Sequence, residues 1–228
     1  MRFKDVFSII GPAMVGPSSS HTAGAARIGR AARRLFGELP ARADISLFGS
    51  FAATYRGHGT DTALVGGLLD MRTDDPRLPD AFRHAEECGL HIDIQPGKGL
   101  YPHPNTAELK LASADGSRER SVLGTSIGGG NIEIVRIDGF NVKLTALYPT
   151  LVLLHRDEPG FIADTTRLLA SEGINIGHMS VDRKSRRGAA MTVLELDGAA
   201  DVNSASIIET LGSHADIREV RWLDLNED

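Results

Sequence analysis

Between residues 150 and 223 the apolar positions keep switching between the two-residue repeat of a strand and the 3.6-residue repeat of a helix. No other property of the chain limits its fold as much. Residues 150–154 read as a buried strand. Residues 160–171 read as a helix with Phe161, Thr165, Leu168 and Leu169 facing inward, stopped by Gly173. Residues 174–183 and 189–196 form a hairpin. A second helix, 202–211, carries Val202, Ala205, Ile208 and Leu211 on one side, and 217–223 is a last strand. A βαββαβ order within about 75 residues is the ferredoxin-like plan.

The chain changes character near residues 138–148. Before that point glycine, serine and histidine gather in loops, and helices and strands mix without a regular βα repeat. Residues 22–36 read as a helix with Ala25, Ile28, Ala32 and Leu35 as its apolar stripe and Arg27, Arg30 and Arg34 on another face. Serines precede it as caps, and Gly37 ends it. Further helices are expected at 60–69 and 79–88, and strands at 45–48, 92–94, 108–112, 120–123 and 131–137, with a hairpin turn at 114–117. The expectation is an α+β protein: a mixed α/β domain over 1–143, then a ferredoxin-like βαββαβ domain over 144–228.

Net charge is −5, and the arginines are interspersed with acids, which disfavours nucleic acid and anionic membrane as partners. Residues 1–10 are too short and too interrupted by Asp5 and Ser8 for a secretory core. No apolar run nears the ~20 residues of a membrane span, so the expected compartment is the cytoplasm. Cys88 is the single cysteine. An internal disulfide and a cysteine-based zinc site are therefore excluded, and an iron–sulfur cluster, held mainly by several thiolates, needs another polypeptide. Cys88 falls in the helical pattern Phe82, Ala85, Cys88, where a small buried hydrophobe is expected.

Four loops of the first domain carry chemistry. Ser18, Ser19, Ser20, His21 and Thr22 sit at the mouth of a helix, where free amides and the dipole favour a carboxylate or phosphate. Plain capping explains the same residues. His58 lies between Gly57 and Gly59, which let a ligand approach its ring; it reads as a general base or as a solvated loop histidine. His103 is held extended by Pro104, and Asn105 offers both a donor and an acceptor, suiting an amino acid's charged groups or a simple turn. Around Ser126, the run Gly128-Gly129-Gly130 exposes consecutive amides as an anion nest, without the Lys-Ser or Lys-Thr of a nucleotide loop. In the second domain His155, Asp157 and Gly160 lie after the first strand, and Asn175 follows the helix. Helix initiation and a turn cap explain the last two equally well.

The segments GPSSSHTAGAARIG, GSFA with GHGTD, HPNT and GTSIGGG, in this order, resemble the β portion of bacterial iron–sulfur L-serine dehydratases. HRDEPGFIADTTRLLASEGINI is similar to the start of an ACT domain. The resemblance runs from Phe7 to Leu223 and fits family members whose β portion is a separate chain. It implies a lyase, inactive alone, that eliminates water from L-serine to give pyruvate and ammonia without pyridoxal phosphate. A partner α subunit would hold a [4Fe–4S] cluster acting as Lewis acid, with no metal in this chain. It implies His58 as the proton-abstracting base. Ser18, Ser19, Ser20, His21 and Thr22, with His103, Asn105, Ser126, Gly128 and Gly129, would bind or orient substrate. His155, Asp157, Gly160 and Asn175 become ligands of an amino-acid or cation effector at an ACT dimer interface. Asp157 stands where serine-binding ACT domains often carry asparagine, and its charge would repel a carboxylate. The first domain also resembles the allosteric substrate-binding domain of some D-3-phosphoglycerate dehydrogenases, which implies the competing role of a regulatory amino-acid-sensing module.

Overall fold

The computed structural model describes residues 13–197 and 203–225. Residues 1–10 and Val202, used in the sequence reading, lie outside the described residues. The protein is α+β and divides into two compact units, Met1–Asp138 and Gly139–Asp228.

In the first unit a π-helical turn, Ser19–Ala23, leads into α1, Gly24–Phe36. There follow β1 (Arg42–Phe48), α2 (Gly49–Thr54), α3 (Thr60–Leu68), a 3-10 turn (Leu78–Asp80) and α4 (Ala81–Glu87). The strands β2 (His91–Pro96), β3 (Asn105–Ala112), β4 (Glu119–Gly128) and β5 (Asn131–Ile137) complete it. Their order is β2-β1-β3-β4-β5. Only β1 and β2 run parallel, because the helices between them carry the chain back to the same end of the sheet.

Helix α1 differs from its expected half-exposed form. The stripe Ala25, Ile28, Ala32 and Leu35 is buried, but so are Ala26, Gly29, Arg30 and Ala31. The helix lies between α3 and β4 and has almost no free face. Arg30 tolerates 5% exposure because its Nε donates to Asp70 Oδ1 at 3.2 Å, and Arg34 holds the other carboxylate oxygen at 2.8 Å. The crossing with α3 is made by main chain. A Cβ on Gly67 would stand 2.1 Å from the Ala26 carbonyl oxygen, and one on Gly29 would stand 2.3 Å from that of Leu64.

Two further corrections concern short helices. Helix α4 buries Ala81 and Ala85, following Leu78, instead of the Phe82, Ala85, Cys88 stripe; Phe82 is 42% exposed and Cys88 is an exposed free thiol. A seven-residue helix has one inward face, and the 3-10 turn before it sets which one. Helix α2, six residues long, offers too few turns for periodicity to reveal. Its start depends on Gly49 at φ +55°, where a Cβ would lie 2.5 Å from the Pro104 carbonyl oxygen.

The second unit opens with β6 (Phe140–Leu144), whose alternating burial escaped notice inside the presumed boundary segment. The βαββαβ series follows: β7 (Thr150–Arg156), α5 (Phe161–Ser171), β8 (Asn175–Arg183), β9 (Ala189–Asp197), α6 (Ser204–Gly212) and β10 (Ile217–Leu223). The sheet order is β10-β7-β9-β8, all antiparallel. Leu151, Leu153, Leu194 and Leu196 from the sheet meet Phe161, Leu169, Ile207 and Leu211 from the helices. The inward face of α6 is Ile207 and Leu211, with Ile208 partly buried against the same core and Ala205 exposed. The helix starts at Asn203, whose side chain accepts from the Ser206 amide, so of the expected face Ile208 and Leu211 turn inward and Ala205 does not. No helix among the described residues is long and apolar enough to cross a membrane.

Candidate functional site

The π-helical turn sets out the first group of side chains. Ser18 caps it, its Oγ accepting from the His21 amide at 3.1 Å. A π turn inserts one residue into the helical register, and such turns often occur at functional sites. Here it places the His21 ring between two hydroxyls: Ser20 Oγ lies 3.0 Å from Nδ1, and Ser50 Oγ on α2 lies 3.0 Å from Nε2. Ser18 Oγ is 3.4 Å from Ser20 Oγ, extending the chain of hydroxyls. Burial, and secondarily the neighbouring His58, lower the His21 pKa from the usual imidazole value, so the ring favours the neutral state.

His58 meets His21 edge-on, with ring centroids 4.9 Å apart and planes at 86°. Its backbone is tied down: the amide donates to the Thr54 carbonyl at 3.1 Å, and the carbonyl accepts from Thr22 Oγ1 at 3.1 Å. Gly59, at φ +65°, then turns the chain into α3. Thr60 does not cap that helix. It is fully buried, and Asp61 Oδ1 accepts from the Thr62 amide instead. The His58 side chain is exposed, and neither ring nitrogen has a hydrogen-bond partner among the described residues. A cleft of about 220 Å³ beside it is lined by Val15, Gly16, Thr22, His58, Thr62 and Leu78, among others.

The second and third groups arrive from the sheet. Gly49 bridges to Asn105 at the start of β3, which brings HPNT against α2. His103 Nδ1 accepts from the Asn105 amide at 3.2 Å, and Asn105 Nδ2 lies 3.5 Å from the Ser126 carbonyl oxygen. Ser126 itself is 0% exposed, its hydroxyl pressed against Gly24, where a Cβ would stand 2.1 Å away. That hydroxyl lies buried beneath the turn, without a hydrogen-bond partner among the described residues. Gly128, Gly129 and Gly130 have φ of +102°, +62° and +79° and form the turn between β4 and β5. The expected free glycine loop is a hairpin. Direct contacts thus join Ser18, Ser20, His21, Thr22 and His58, and separately His103, Asn105 and Ser126, while Gly49 and Ser50 on α2 link the two groups. The structure adds Ser50 and Phe51, to which sequence reasoning gave no role. The signal for Ser50 was its place in the GSFA segment, a hydroxyl directly after the glycine that follows β1.

The second-unit candidates do not converge within one chain. His155 is 2% exposed and stacks on Phe161 at 3.7 Å. Its Nδ1 donates to the Arg156 carbonyl at 2.7 Å, so its Nε2 accepts from Thr192 Oγ1 at 2.8 Å. This ring is a core group that the fold does not present to solvent. Asp157 Oδ2 accepts from Arg183 at 2.8 Å and from the Arg187 amide at 3.2 Å. The Arg183 hydrogen bond, chiefly, holds its carboxyl below the usual range. The charge expected to repel a carboxylate thus already has a cationic partner. Gly160, at φ +94°, starts α5. Asn175 bonds Asp197 at 2.9 Å at the opposite end of β8 from Arg183.

His155 sets a pH dependence of stability. Burial, the dominant influence, lowers its pKa from 6.5, against the Arg156 carbonyl bond and the Asp157 and Asp216 charges, while His214 adds to the lowering. The unfolded chain therefore takes up the proton first. This contribution is fully present above pH 6.5 and is lost as pH falls toward the depressed folded value. Urea unfolding between about pH 7 and 5 is expected to show a falling midpoint, with a shallower fall in His155→Gln. Equal slopes would remove His155 as the cause.

The model described as serine dehydratase beta chain matches residues 3–88, and that of the ACT domain matches residues 150–211. The fold and its loops are those of a serine dehydratase β unit followed by an ACT domain. A probable L-serine dehydratase β chain of Bacillus subtilis is 47% identical over 201 residues, covering 88% of this chain and 90% of its own. The L-serine dehydratase β chain of Peptoniphilus asaccharolyticus is 36% identical over 192 residues, covering 84% and 86%. At that identity and coverage, the chain belongs to the L-serine dehydratase β-chain family. A D-3-phosphoglycerate dehydrogenase of Synechocystis is 29% identical over 157 residues, covering 68% of this chain and 28% of its own.

Proposed function

We propose that this chain is the cytoplasmic β subunit of an enzyme that deaminates L-serine to pyruvate and ammonia, acting only together with an α subunit that carries a [4Fe–4S] cluster. The donor set here does not fit such a cluster. It contains one exposed cysteine, and no group of three or more His, Cys, Asp or Glu side chains among the described residues is placed to hold a metal. The reading therefore assigns the cluster to the partner.

One observation carries the role of this chain: an imidazole with a fixed backbone and an unengaged, exposed ring, set against a second imidazole whose nitrogens are both occupied. Of the two, only His58 is free to take a proton from a substrate. It removes the Cα proton of L-serine, while departure of the β-hydroxyl is left to the partner. Water and 2-aminoacrylate result, and the imine tautomer of the latter hydrolyses to pyruvate and ammonia. The half-buried Ser18, Ser19, His103 and Asn105 hold the substrate's charged groups. The division of labour follows the domains 1–143 and 144–228, with the ACT part binding an effector. Because Asp157 is bonded to Arg183 at one end of β8 and Asn175 starts the other end, an effector touching both requires a second copy of the chain.

The test is reconstitution. The iron-free chain alone is expected to release no pyruvate from serine, and activity is expected to appear on adding a cysteine-rich, iron-loaded α chain. Turnover by the chain alone sinks the reading. The likeness to D-3-phosphoglycerate dehydrogenases favours a second reading, a serine sensor. Tight serine binding by the chain alone, with no activity after reconstitution, would support that one.

A further inference from the structure

We infer that Ser50 is a positioning residue that holds the His21 ring in one orientation, and through it sets the place of the His58 ring. The inference rests on His58 acting as the base.

Ser50 is well anchored. Gly49 at φ +55° closes against Pro104, the Phe51 amide donates to the Pro104 carbonyl at 3.4 Å, and Thr54 Oγ1 donates to the Ser50 carbonyl at 2.8 Å. From that position Ser50 Oγ reaches His21 Nε2 at 3.0 Å across 29 residues of sequence. The bond at Nδ1 comes from Ser20, the adjacent residue, and moves with the same turn. A hydroxyl can donate or accept, so hydroxyls at opposite nitrogens suit either neutral tautomer, but together they fix how the ring is turned. Without Ser50 the ring keeps only its neighbour as a tether. It is then free to rotate out of the edge-on contacts with His58 at 4.9 Å and Phe51 at 5.3 Å. The His21 ring is the aromatic neighbour of His58 among the described residues, so a turned His21 leaves the His58 ring without that wall. Ser50 thus supplies, among the described residues, the hydrogen bond that links the ring to a different element of the fold.

The test uses the reconstituted complex and the full chain. Ser50→Ala is expected to lower kcat by roughly tenfold to a hundredfold with KM for serine nearly unchanged. Ser50→Thr, which keeps the hydroxyl, is expected to restore most of it. Nitrogen-15 spectra of the histidine rings in the full chain give a readout independent of activity. Wild type is expected to show the His21 ring signals of a group bonded at both nitrogens, and Ser50→Ala a shifted Nε2 signal. Unchanged His21 signals overturn the inference, as do altered His21 signals with normal kcat. Equal loss in both variants marks a structural role only and overturns it too. Altered signals in Ser50→Ala, combined with normal turnover by His58→Ala, leave the Ser50–His21 tether standing and refute the role of His58 instead.

Discussion

Replacing His58 with alanine in the reconstituted complex is expected to lower serine turnover by about 10²–10⁴-fold, the range for loss of a general base. The expectation is specific to rate. The side chain is exposed and makes no hydrogen bond among the described residues, and the bond from Thr22 goes to its carbonyl, which alanine retains. Unfolding free energy should therefore move by no more than about 0.5 kcal/mol. A stable variant with a collapsed kcat is the result that supports the assignment, and a near-normal rate discards it. His21→Ala differs in kind: it removes a half-buried ring that touches Ser20, Ser50, Phe51 and His58, so it costs stability as well as rate.

The second large effect lies away from the loops. Gly67→Val is expected to destabilise the chain by roughly 3 kcal/mol or more, the upper end for overpacking. Its added atoms meet the Ala26 carbonyl oxygen at 2.1 Å and the Arg30 amide nitrogen at 2.7 Å, and neither can be moved by choosing another rotamer. The helices must part or α3 must unwind. Urea denaturation of Gly67→Val beside Gly116→Val makes the comparison; Gly116, in a turn with nothing within 4 Å, controls for open space, although its φ of +68° adds strain of its own. Equal losses would show that the crossing is not tight.

The second unit was legible because each element is long enough to show its period and because Gly160 and Gly173 bracket α5 with positive φ. Even there, α6 starts on the Asn203 cap and not where apolar spacing alone would begin it. In the first unit the strands were found short, since 105–107 and 124–128 carry polar and glycine residues that a strand pattern does not flag, although pairing places them in β3 and β4. Burial of α1 on nearly all sides could not be read from composition, because Arg30 looks solvated until Asp70 is brought to it from 40 residues away. For the site, the serines, His21, His58 and Asn105 stood out as residue types. Their grouping, and the part of Ser50, depended on α2, an element too short to announce itself. Ser126 and His155 looked equally available in sequence, yet packing puts both inside.

The Gly29 and Gly67 contact also bears on how the two imidazoles respond to a docking partner. One helix follows the turn bearing His21, and the other begins just after His58. Where they cross, peptide groups abut with no intervening side chains to reshuffle, so the pair behaves as a clasp with no adjustable spacer. Around a bound molecule the jaws themselves therefore keep their gauge.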